Sequence, residues 1–289
     1  MKSMISLMRP EQWMKNIFVI LPLFFSGKML QTDNWLTVVW VLISFSFAAS
    51  SIYILNDLID ADADAQHPKK CERPIPRGLV SKPVAMMMAL MCAVVAILLS
   101  WLLCGKMITV IITGYCLLNI AYCLILKQLA VVDVLIVAFG FLLRLLAGGI
   151  AADVVLSQWI VLVTFLLALF LALAKRRDDV LIYEKLGVRP RVNITQYNLV
   201  FINLSMGVMA AVLIVCYIMY TVSPEVTHRL NTSYLYLTTL FVIAGMLRYM
   251  QITFVKQESG SPTHVLMHDH FIQLCVLCWA VSFAVILYY

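Results

Sequence analysis

Long apolar stretches dominate this chain, and its polar residues concentrate in the short segments between them. A helix that crosses the hydrocarbon core of a bilayer needs about 20 mostly apolar residues. Nine stretches reach approximately that length, which predicts an all-α integral membrane protein with nine transmembrane helices. Their approximate bounds are 14–30, 35–56, 84–104, 107–126, 132–150, 157–174, 196–221, 234–255 and 270–288. The first stretch is the weakest, because Pro22 and Gly27 interrupt it.

The composition supports lipid as the main solvent. Of the 289 residues, 63% are hydrophobic and 12% are charged, whereas about 25% of a soluble domain is charged. The net charge of +6 does not indicate nucleic acid, because the basic residues lie in short loops between the apolar stretches. Among the eight cysteines, Cys275-x-x-Cys278 is not accompanied by a second pair, so we interpret both as small apolar helix residues.

The distribution of basic residues predicts the orientation in the membrane. If the N-terminus is cytoplasmic, 17 of the 21 lysines and arginines lie in inside segments, three lie outside, and Arg144 lies within a helix. Cytoplasmic loops carry the excess of basic residues, so we expect a multi-pass protein of the plasma (inner) membrane with its C-terminus outside. The two long polar loops, at about 57–82 and 175–195, then lie on the cytoplasmic side.

Oxygen-bearing side chains cluster where the second predicted helix ends. Asn56, Asp60 and Asp64 are spaced four residues apart, and Asp57 precedes Asp60 by three, so all four share one face of a continuing helix. Carboxylates on one face repel each other, and the negative end of the helix dipole disfavours them further. Mg²⁺, which prefers hard oxygen ligands, would relieve this repulsion. The alternative is a solvated acidic loop, which explains the charge but not the helical spacing.

Basic residues follow this acidic face directly, with Lys70 and Arg73 among them. A diphosphate requires both signs of charge, because Mg²⁺ bridges its oxygens while Lys and Arg neutralise the remaining charge. Arg144 is a separate polar feature, since an arginine within a spanning helix costs at least about 2.5–3.5 kcal/mol unless it faces a polar interior. Two interpretations stay open for Arg144: an ion pair with Asp133 or Asp153, or a contact with a substrate phosphate.

The acidic face and the basic residues after it form a long motif with a family resemblance. The segment Asn56-Asp57-x-x-Asp60-x-x-x-Asp64, followed by His67-Pro68-x-Lys70-x-x-Arg73-Pro74-Ile75-x-x-Gly78, resembles the first Asp-rich motif of the UbiA prenyltransferase superfamily. The resemblance implies a single UbiA-like transmembrane domain over residues 1–289. It also implies nine helices around a central cavity that both cytoplasmic loops face.

Five further segments resemble the phosphoribosyltransferase branch of that superfamily, which acts on decaprenyl phosphate. They are Arg9-Pro10-x-Gln12-Trp13-x-Lys15-Asn16, Tyr122 with Leu126-Lys127 and Asp133-Val134, Gly140-Phe141-x-x-Arg144-x-x-Ala147-Gly148, Ala174-Lys175-Arg176-Arg177-Asp178-Asp179, and Gly245-Met246-Leu247-Arg248-Tyr249. The branch carries Lys-Arg-x-x-Glu in the fourth segment. Asp179 falls at the Glu position, where its side chain is shorter by one methylene.

The resemblance implies an Mg²⁺-dependent transfer of 5-phosphoribose from 5-phosphoribosyl 1-diphosphate (PRPP) to a polyprenyl phosphate, with release of diphosphate. The implied catalytic residues are Asp57, Asp60 and Asp64, which with Asn56 hold the metal. The implied substrate-binding residues are Gln12, Lys15, Asn16, Asn56, Lys70, Arg73, Tyr122, Lys127, Arg144, Lys175, Arg176 and Asp179. The expected partners are PRPP, the lipid phosphate and the bilayer, without nucleic acid, and a homo-oligomer stays open.

Two other functions remain as alternatives. A UbiA-type prenyltransferase would move an isoprenoid from its diphosphate to an aromatic or glycerol-phosphate acceptor. The basic residues Lys15, Lys127 and Lys175-Arg176-Arg177 favour the phosphate-rich ribosyl reaction over it. A transporter of an anionic solute would more often carry inverted repeats and helices broken near the midplane, which the sequence does not indicate.

Overall fold

The computed structural model of this protein describes residues 2–26, 34–65, 70–187, 190–257 and 262–288, and this part of the chain is helical without any β-strand. Eight of the described helices are long and apolar enough to cross a membrane. They overlap the second to ninth predicted stretches, so the all-α membrane fold is confirmed. One predicted boundary is wrong: the sixth stretch was expected to end at 174, but its helix continues to Leu186, so the segment predicted as a loop at about 175–195 is helical up to that residue. The first predicted stretch coincides with a 3₁₀ helix, Pro10–Val19, and a short α-helix, Leu21–Phe25, and it ends at 27–30, outside the described residues. The count of nine therefore stays a prediction.

The first compact unit covers Met1–Val155. Its α-helices are α1 (Lys2–Met8), α2 (Leu21–Phe25), α3 (Trp35–Ile59), α4 (Ala61–Ala65), α5 (Lys82–Leu103), α6 (Lys106–Leu124) and α7 (Val132–Ala151). Short 3₁₀ helices cover Lys70–Glu72 and Leu126–Gln128. Helix α3 packs against α5, α6, α7 and the 3₁₀ helix Pro10–Val19. Its middle is rich in buried alanine and serine, and such small residues let neighbouring helices approach closely.

Local chemistry shapes the 3₁₀ helix Pro10–Val19. Arg9 precedes it in the left-handed region, with φ of +52°, and Pro10 occupies the first helical position, where its missing N–H is not needed. The far end of this helix lies against α7 at Gly148. A Cβ at Gly148 would lie 2.1 Å from the carbonyl oxygen of Val19, so only glycine allows this approach. The contact fixes the 3₁₀ helix against α7.

The second compact unit covers Leu156–Tyr289. Its α-helices are α8 (Gln158–Leu186), α9 (Leu199–Val222), α10 (Pro224–Leu230), α11 (Thr239–Gln251), α12 (Pro262–His268) and α13 (His270–Tyr288). Short 3₁₀ helices cover Val192–Gln196 and Leu235–Thr238, and a π-helix, Ile252–Lys256, extends α11. Ser157 caps the start of helix α8, where its hydroxyl accepts a hydrogen bond from the amide of Ile160, and Gly187 caps its end with φ of +66°. Helix α8 packs along α9, and α11 packs along α13.

Candidate active site

The acidic residues predicted to share one face lie at the end of α3, in the next turn and in α4. Helix α3 ends at Ile59, Asp60 caps it, and α4 begins directly afterwards. The amide of Asp60 donates to the carbonyl of Asn56 at 2.9 Å, and the amide of Asp64 donates to the carbonyl of Asp60 at 2.7 Å. Hydrogen bonds of helical spacing therefore continue through the turn and keep Asn56, Asp60 and Asp64 in register.

Asp57 and Asp64 are the buried carboxylates of this face, with 1% and 2% of their surface exposed. Arg73 donates from Nη1 to both of them, at 3.1 Å to Asp57 Oδ1 and in a shorter contact to Asp64 Oδ2. Arg9 donates from Nη2 to the same Asp57 oxygen at 2.5 Å, and Lys70 Nζ lies 3.7 Å from Asp64 Oδ1. Buried carboxylates require such partners, because an uncompensated charge away from water is costly.

Asp60 has a separate cationic partner. Lys127, from the 3₁₀ helix between α6 and α7, donates to Asp60 Oδ1 at 2.6 Å, and Asn56 Nδ2 donates to Asp60 Oδ2 at 3.0 Å. Tyr122, five residues before Lys127, is half-buried against the core of the same unit. The structure thus brings together seven of the residues that the sequence predicted for the site. They are Asn56, Asp57, Asp60, Asp64, Lys70, Arg73 and Lys127.

Arg9 is a member of this cluster that sequence reasoning missed. It lies in one of the segments with a family resemblance, but nothing in the sequence alone assigned it a role. Its side chain is 17% exposed and pairs with a carboxylate 48 residues further along the chain. The available signal was a basic residue next to Pro10, directly before the first apolar stretch.

The acidic face offers oxygen donors that fit a hard divalent cation. Asp57 Oδ2 is buried and has no hydrogen-bond partner among the described residues, so one carboxylate oxygen is open to a cation. No three acidic, histidine or cysteine side chains in the described ranges are close enough to hold a metal ion unaided. Mg²⁺ is usually held by one or two carboxylates together with substrate phosphates, and the free acceptor oxygen of Asp57 fits such an ion.

The 3₁₀ helix Pro10–Val19 carries three other residues predicted to bind substrate. Lys15 Nζ donates to the hydroxyl of Tyr53 at 3.1 Å, and Asn16 Nδ2 donates to Ser46 Oγ at 2.9 Å. Gln12 is half-buried in the same helix. Lys15 and Asn16 therefore face α3, the helix that ends in the acidic residues.

Arg144 lies inside α7 with 4% of its surface exposed. Its Nε donates to Asn16 Oδ1 at 2.7 Å, and its Nη2 donates to the hydroxyl of Tyr115 at 3.1 Å. Its Nη1 donates to the backbone carbonyl of Gly140, one helical turn earlier, at 2.7 Å. Aromatic rings surround the guanidinium, with centroids 4.7 to 5.8 Å from Cζ. These partners are neutral groups rather than Asp133 or Asp153, so of the two interpretations left open for Arg144 the ion pair is not the arrangement in this structure. Its contact with a phosphate stays a prediction.

The second unit carries its own cluster of basic residues, in the second half of α8 and just before the 3₁₀ helix Val192–Gln196. Arg176 is 2% exposed and donates to Asp179 Oδ2 at 3.3 Å, and Arg191 Nε donates to the same oxygen at 2.8 Å. Lys175 is exposed, whereas Arg177 donates to a carbonyl of the π-helix at 2.6 Å. Asp179 therefore holds two guanidinium groups, a role that the sequence did not predict for it.

Arg248, in the last segment with a family resemblance, forms an ion pair at the end of α11. Its Nη2 donates to Asp269 Oδ2 at 2.7 Å, and the other oxygen of Asp269 accepts the amide of Ile272 in α13. The hydrogen bond from Arg248 holds the pKa of the Asp269 carboxyl below its usual value. The pair links α11 to the start of α13.

Comparisons with known proteins place this arrangement in a family. The UbiA prenyltransferase family matches residues 19–275, which span most of both units. The decaprenyl-phosphate phosphoribosyltransferases of Mycolicibacterium smegmatis and Corynebacterium glutamicum are 32% and 31% identical to this chain over 99% of its length, and over 93% and 87% of their own. A UbiA homologue from Archaeoglobus fulgidus, solved with GPP and Mg²⁺, has a TM-score of 0.73 at 16% identity, covering 99% of this chain and 100% of that one. The protein is therefore an integral membrane transferase that belongs to the UbiA prenyltransferase family.

Proposed function

We propose that the protein moves 5-phosphoribose from PRPP to a polyprenyl phosphate and releases diphosphate, as an Mg²⁺-dependent pentosyltransferase. The observation that carries this proposal is the row of carboxylates on α3 and α4 with four cations around it. A metal-bound diphosphate requires negative groups for the metal and positive groups for the remaining phosphate oxygens in one place. The names of the two bacterial relatives, which align with nearly the whole chain, support the choice of substrates.

The donor side is assigned to the end of α3 and to α4. Asn56, Asp57, Asp60 and Asp64 are the residues that would hold Mg²⁺, which when bound neutralises negative charge on the departing diphosphate. Lys70, Arg73 and Lys127 now pair with these carboxylates. We expect the three side chains to turn towards the diphosphate once the carboxylates bind a metal. The local charge is then balanced both with and without substrate.

The reaction exchanges one carbon–oxygen bond for another. The bond between C1 of the ribose and the diphosphate oxygen breaks, and its electron pair leaves with the diphosphate. An oxygen of the lipid phosphate donates the electron pair for the new bond to C1. Because this acceptor is already an anion, the chain needs no strong general base. It needs cations that let two anionic substrates approach each other.

The acceptor side is assigned to the 3₁₀ helix Pro10–Val19 and its neighbours. Lys15, Asn16 and Gln12 bind the lipid phosphate in this proposal. Tyr122, which lies in α6 of the same unit, is proposed as a further substrate-binding residue. Arg144 either reaches the phosphate or orients Asn16 through their 2.7 Å hydrogen bond.

Lys175 and Arg176 in α8 are proposed to bind substrate phosphates. PRPP carries a 5-phosphate as well as its diphosphate, and the acceptor adds another phosphate, so cations beyond the metal are required. Asp179 acts as a positioning residue, because its carboxylate orients Arg176 and Arg191.

The proposed topology gives the soluble donor access to the site. The basic residues favour a single transmembrane domain with the N-terminus and the polar segments at about 57–82 and 175–195, the second of which begins in α8, in the cytoplasm, and the C-terminus outside the inner membrane. PRPP would then bind from the cytoplasm and the lipid phosphate from the membrane.

A donor-choice assay tests the proposed function. The purified protein with Mg²⁺ is given either labelled PRPP and a polyprenyl phosphate, or labelled geranyl diphosphate and an aromatic acceptor. We expect label in the lipid fraction from PRPP only, and none after EDTA. Transfer from the prenyl diphosphate without transfer from PRPP would overturn the proposal in favour of a prenyltransferase.

A further inference from the structure

Tyr53 lies one helical turn before Asp57 on α3 and has no role in the site described above. Its hydroxyl accepts a hydrogen bond from Lys15 Nζ at 3.1 Å. Two cations also lie over its ring, with Lys15 Nζ 5.5 Å and Arg9 Cζ 5.4 Å from the centroid. The side chain is half-buried rather than sealed in the core. Tyr53 therefore contacts both the arginine that pairs with Asp57 and the lysine assigned to the acceptor.

Tyr53 belongs to a row of contacts between α3 and the 3₁₀ helix Pro10–Val19. The row pairs Ser46 with Asn16, Ser50 with Trp13, Tyr53 with Lys15, and Asp57 with Arg9. The two serine contacts join neutral groups and hold one helix against the other. The contact of Tyr53 is different, because it fixes the end of a long and flexible lysine side chain.

The ring of Tyr53 also determines where the Lys15 ammonium can lie. The carboxylate of Asp57 attracts any nearby cation, and Arg9 already pairs with it. The phenol offers Lys15 an oxygen acceptor and an aromatic face instead, one helical turn away from that carboxylate. Lys15 is thereby held apart from the acidic face.

We propose that Tyr53 is a positioning residue for the lipid acceptor: it holds the Lys15 ammonium where the acceptor phosphate binds and keeps it from pairing with Asp57. This inference rests on the proposed function, in which Lys15 binds the phosphate of the lipid. The inference adds Tyr53 to the site. It also separates Lys15, which binds the acceptor phosphate, from the cations that bind the donor diphosphate.

A binding experiment that does not depend on turnover tests this role. The dissociation constant of a short-chain prenyl monophosphate is measured by calorimetry in detergent for the parent, Tyr53→Phe, Lys15→Met and the double variant. Tyr53→Phe keeps the ring and removes only the hydroxyl. Ser50→Ala is the matched control, because it removes only neutral contacts, with the Trp13 indole in the same row and with the carbonyl of Met8. Melting temperatures of all variants report on folding.

We expect Tyr53→Phe to weaken binding of the monophosphate by about three- to tenfold, the effect of losing one hydrogen bond to a partly exposed charged group. In the Lys15→Met background the same change should have no effect, because the hydroxyl then has no ammonium to hold. Ser50→Ala should bind the monophosphate like the parent. Unchanged binding in Tyr53→Phe, or equal losses with and without Lys15, would overturn the inference.

Turnover with PRPP, measured on the same preparations, keeps the two proposals separate. If the parent protein transfers no phosphoribose from PRPP, the proposed function fails. The dissociation constants of the monophosphate for the single and double variants still report on the contact between Tyr53 and Lys15. If transfer is intact, Tyr53→Phe should raise KM for the polyprenyl phosphate and leave KM for PRPP within about twofold. A rise in KM for PRPP alone would contradict the division between donor and acceptor cations.

Discussion

Replacement of Asp57 by asparagine removes a charge that the structure shows to be paired. The sequence alone suggests that Asp57→Asn relieves repulsion on a crowded acidic face. In the structure, however, Asp57 is 1% exposed and accepts hydrogen bonds from Arg9 at 2.5 Å and Arg73 at 3.1 Å. Asp57→Asn would leave two guanidinium groups with a weaker partner. We therefore expect the substitution to lower stability as well as activity.

The magnitude follows from the burial of the three groups. Removing one member of a buried ion pair costs about 3–5 kcal/mol. Arg9 and Arg73 are 17% and 24% exposed and can reach water, and the asparagine oxygen still accepts one hydrogen bond. We expect a loss of about 1–2 kcal/mol, or a fall in melting temperature of about 2–8 °C. Turnover should fall at least about a hundredfold, because a proposed metal ligand is lost.

Thermal unfolding in detergent, with turnover measured on the same samples, checks this prediction. Asp62→Asn is the matched control, because Asp62 is 92% exposed and pairs only at the surface with Lys82, at 3.2 Å. Such a pair contributes about 0–1 kcal/mol, so the control should keep both its melting temperature and its activity. A melting temperature of Asp57→Asn at or above that of the parent would refute the paired arrangement.

Three further predictions concern other parts of the chain. A cysteine introduced at Lys185 should react with a membrane-impermeant thiol reagent only after cells are opened, and labelling in intact cells would reverse the topology. Arg176→Ala should lower kcat/KM with PRPP by about ten- to a hundredfold in detergent. If Arg176 only contacted lipid headgroups, the substitution would leave kcat/KM unchanged. Gly148→Ala should destabilise the protein by about 1–3 kcal/mol, because the new methyl group meets the backbone of the 3₁₀ helix. Gly114→Ala, which has open space around it, should not lower the melting temperature.

Local patterns in the sequence were sufficient for the spanning helices and the acidic face. Eight spans follow from the length of apolar stretches, because that length is a direct requirement of the bilayer. The register of Asn56, Asp60 and Asp64 follows from helical spacing, even though a turn at Asp60 separates α3 from α4. The first predicted stretch was harder to assign, since Pro10 and its neighbours form a 3₁₀ helix, which the length of an apolar stretch does not reveal.

The partners of the charged groups could not be derived in the same way. Arg9 and Asp57 are 48 residues apart, and Lys127 and Asp60 are 67 apart, so their pairing depends on how α3 packs rather than on any local pattern. Residue types likewise offered a carboxylate or a substrate phosphate as the partner of Arg144, whereas its partners in the structure are an amide, a phenol and a carbonyl. Sequence patterns identify buried polar and charged residues that need a hydrogen-bond or ionic partner, but tertiary packing determines which group that partner is.

Mass spectrometry of the lipid product tests the central claim most directly. The parent protein, Asp60→Asn and Asp62→Asn are each incubated with PRPP, a polyprenyl phosphate and Mg²⁺. The account predicts that the parent and Asp62→Asn convert the lipid into a species heavier by one phosphoribosyl group, and that Asp60→Asn and EDTA-treated parent do not. Product at the parent level from Asp60→Asn, or with EDTA present, would contradict the assignment of the acidic face as a metal-dependent phosphoribosyl transfer site.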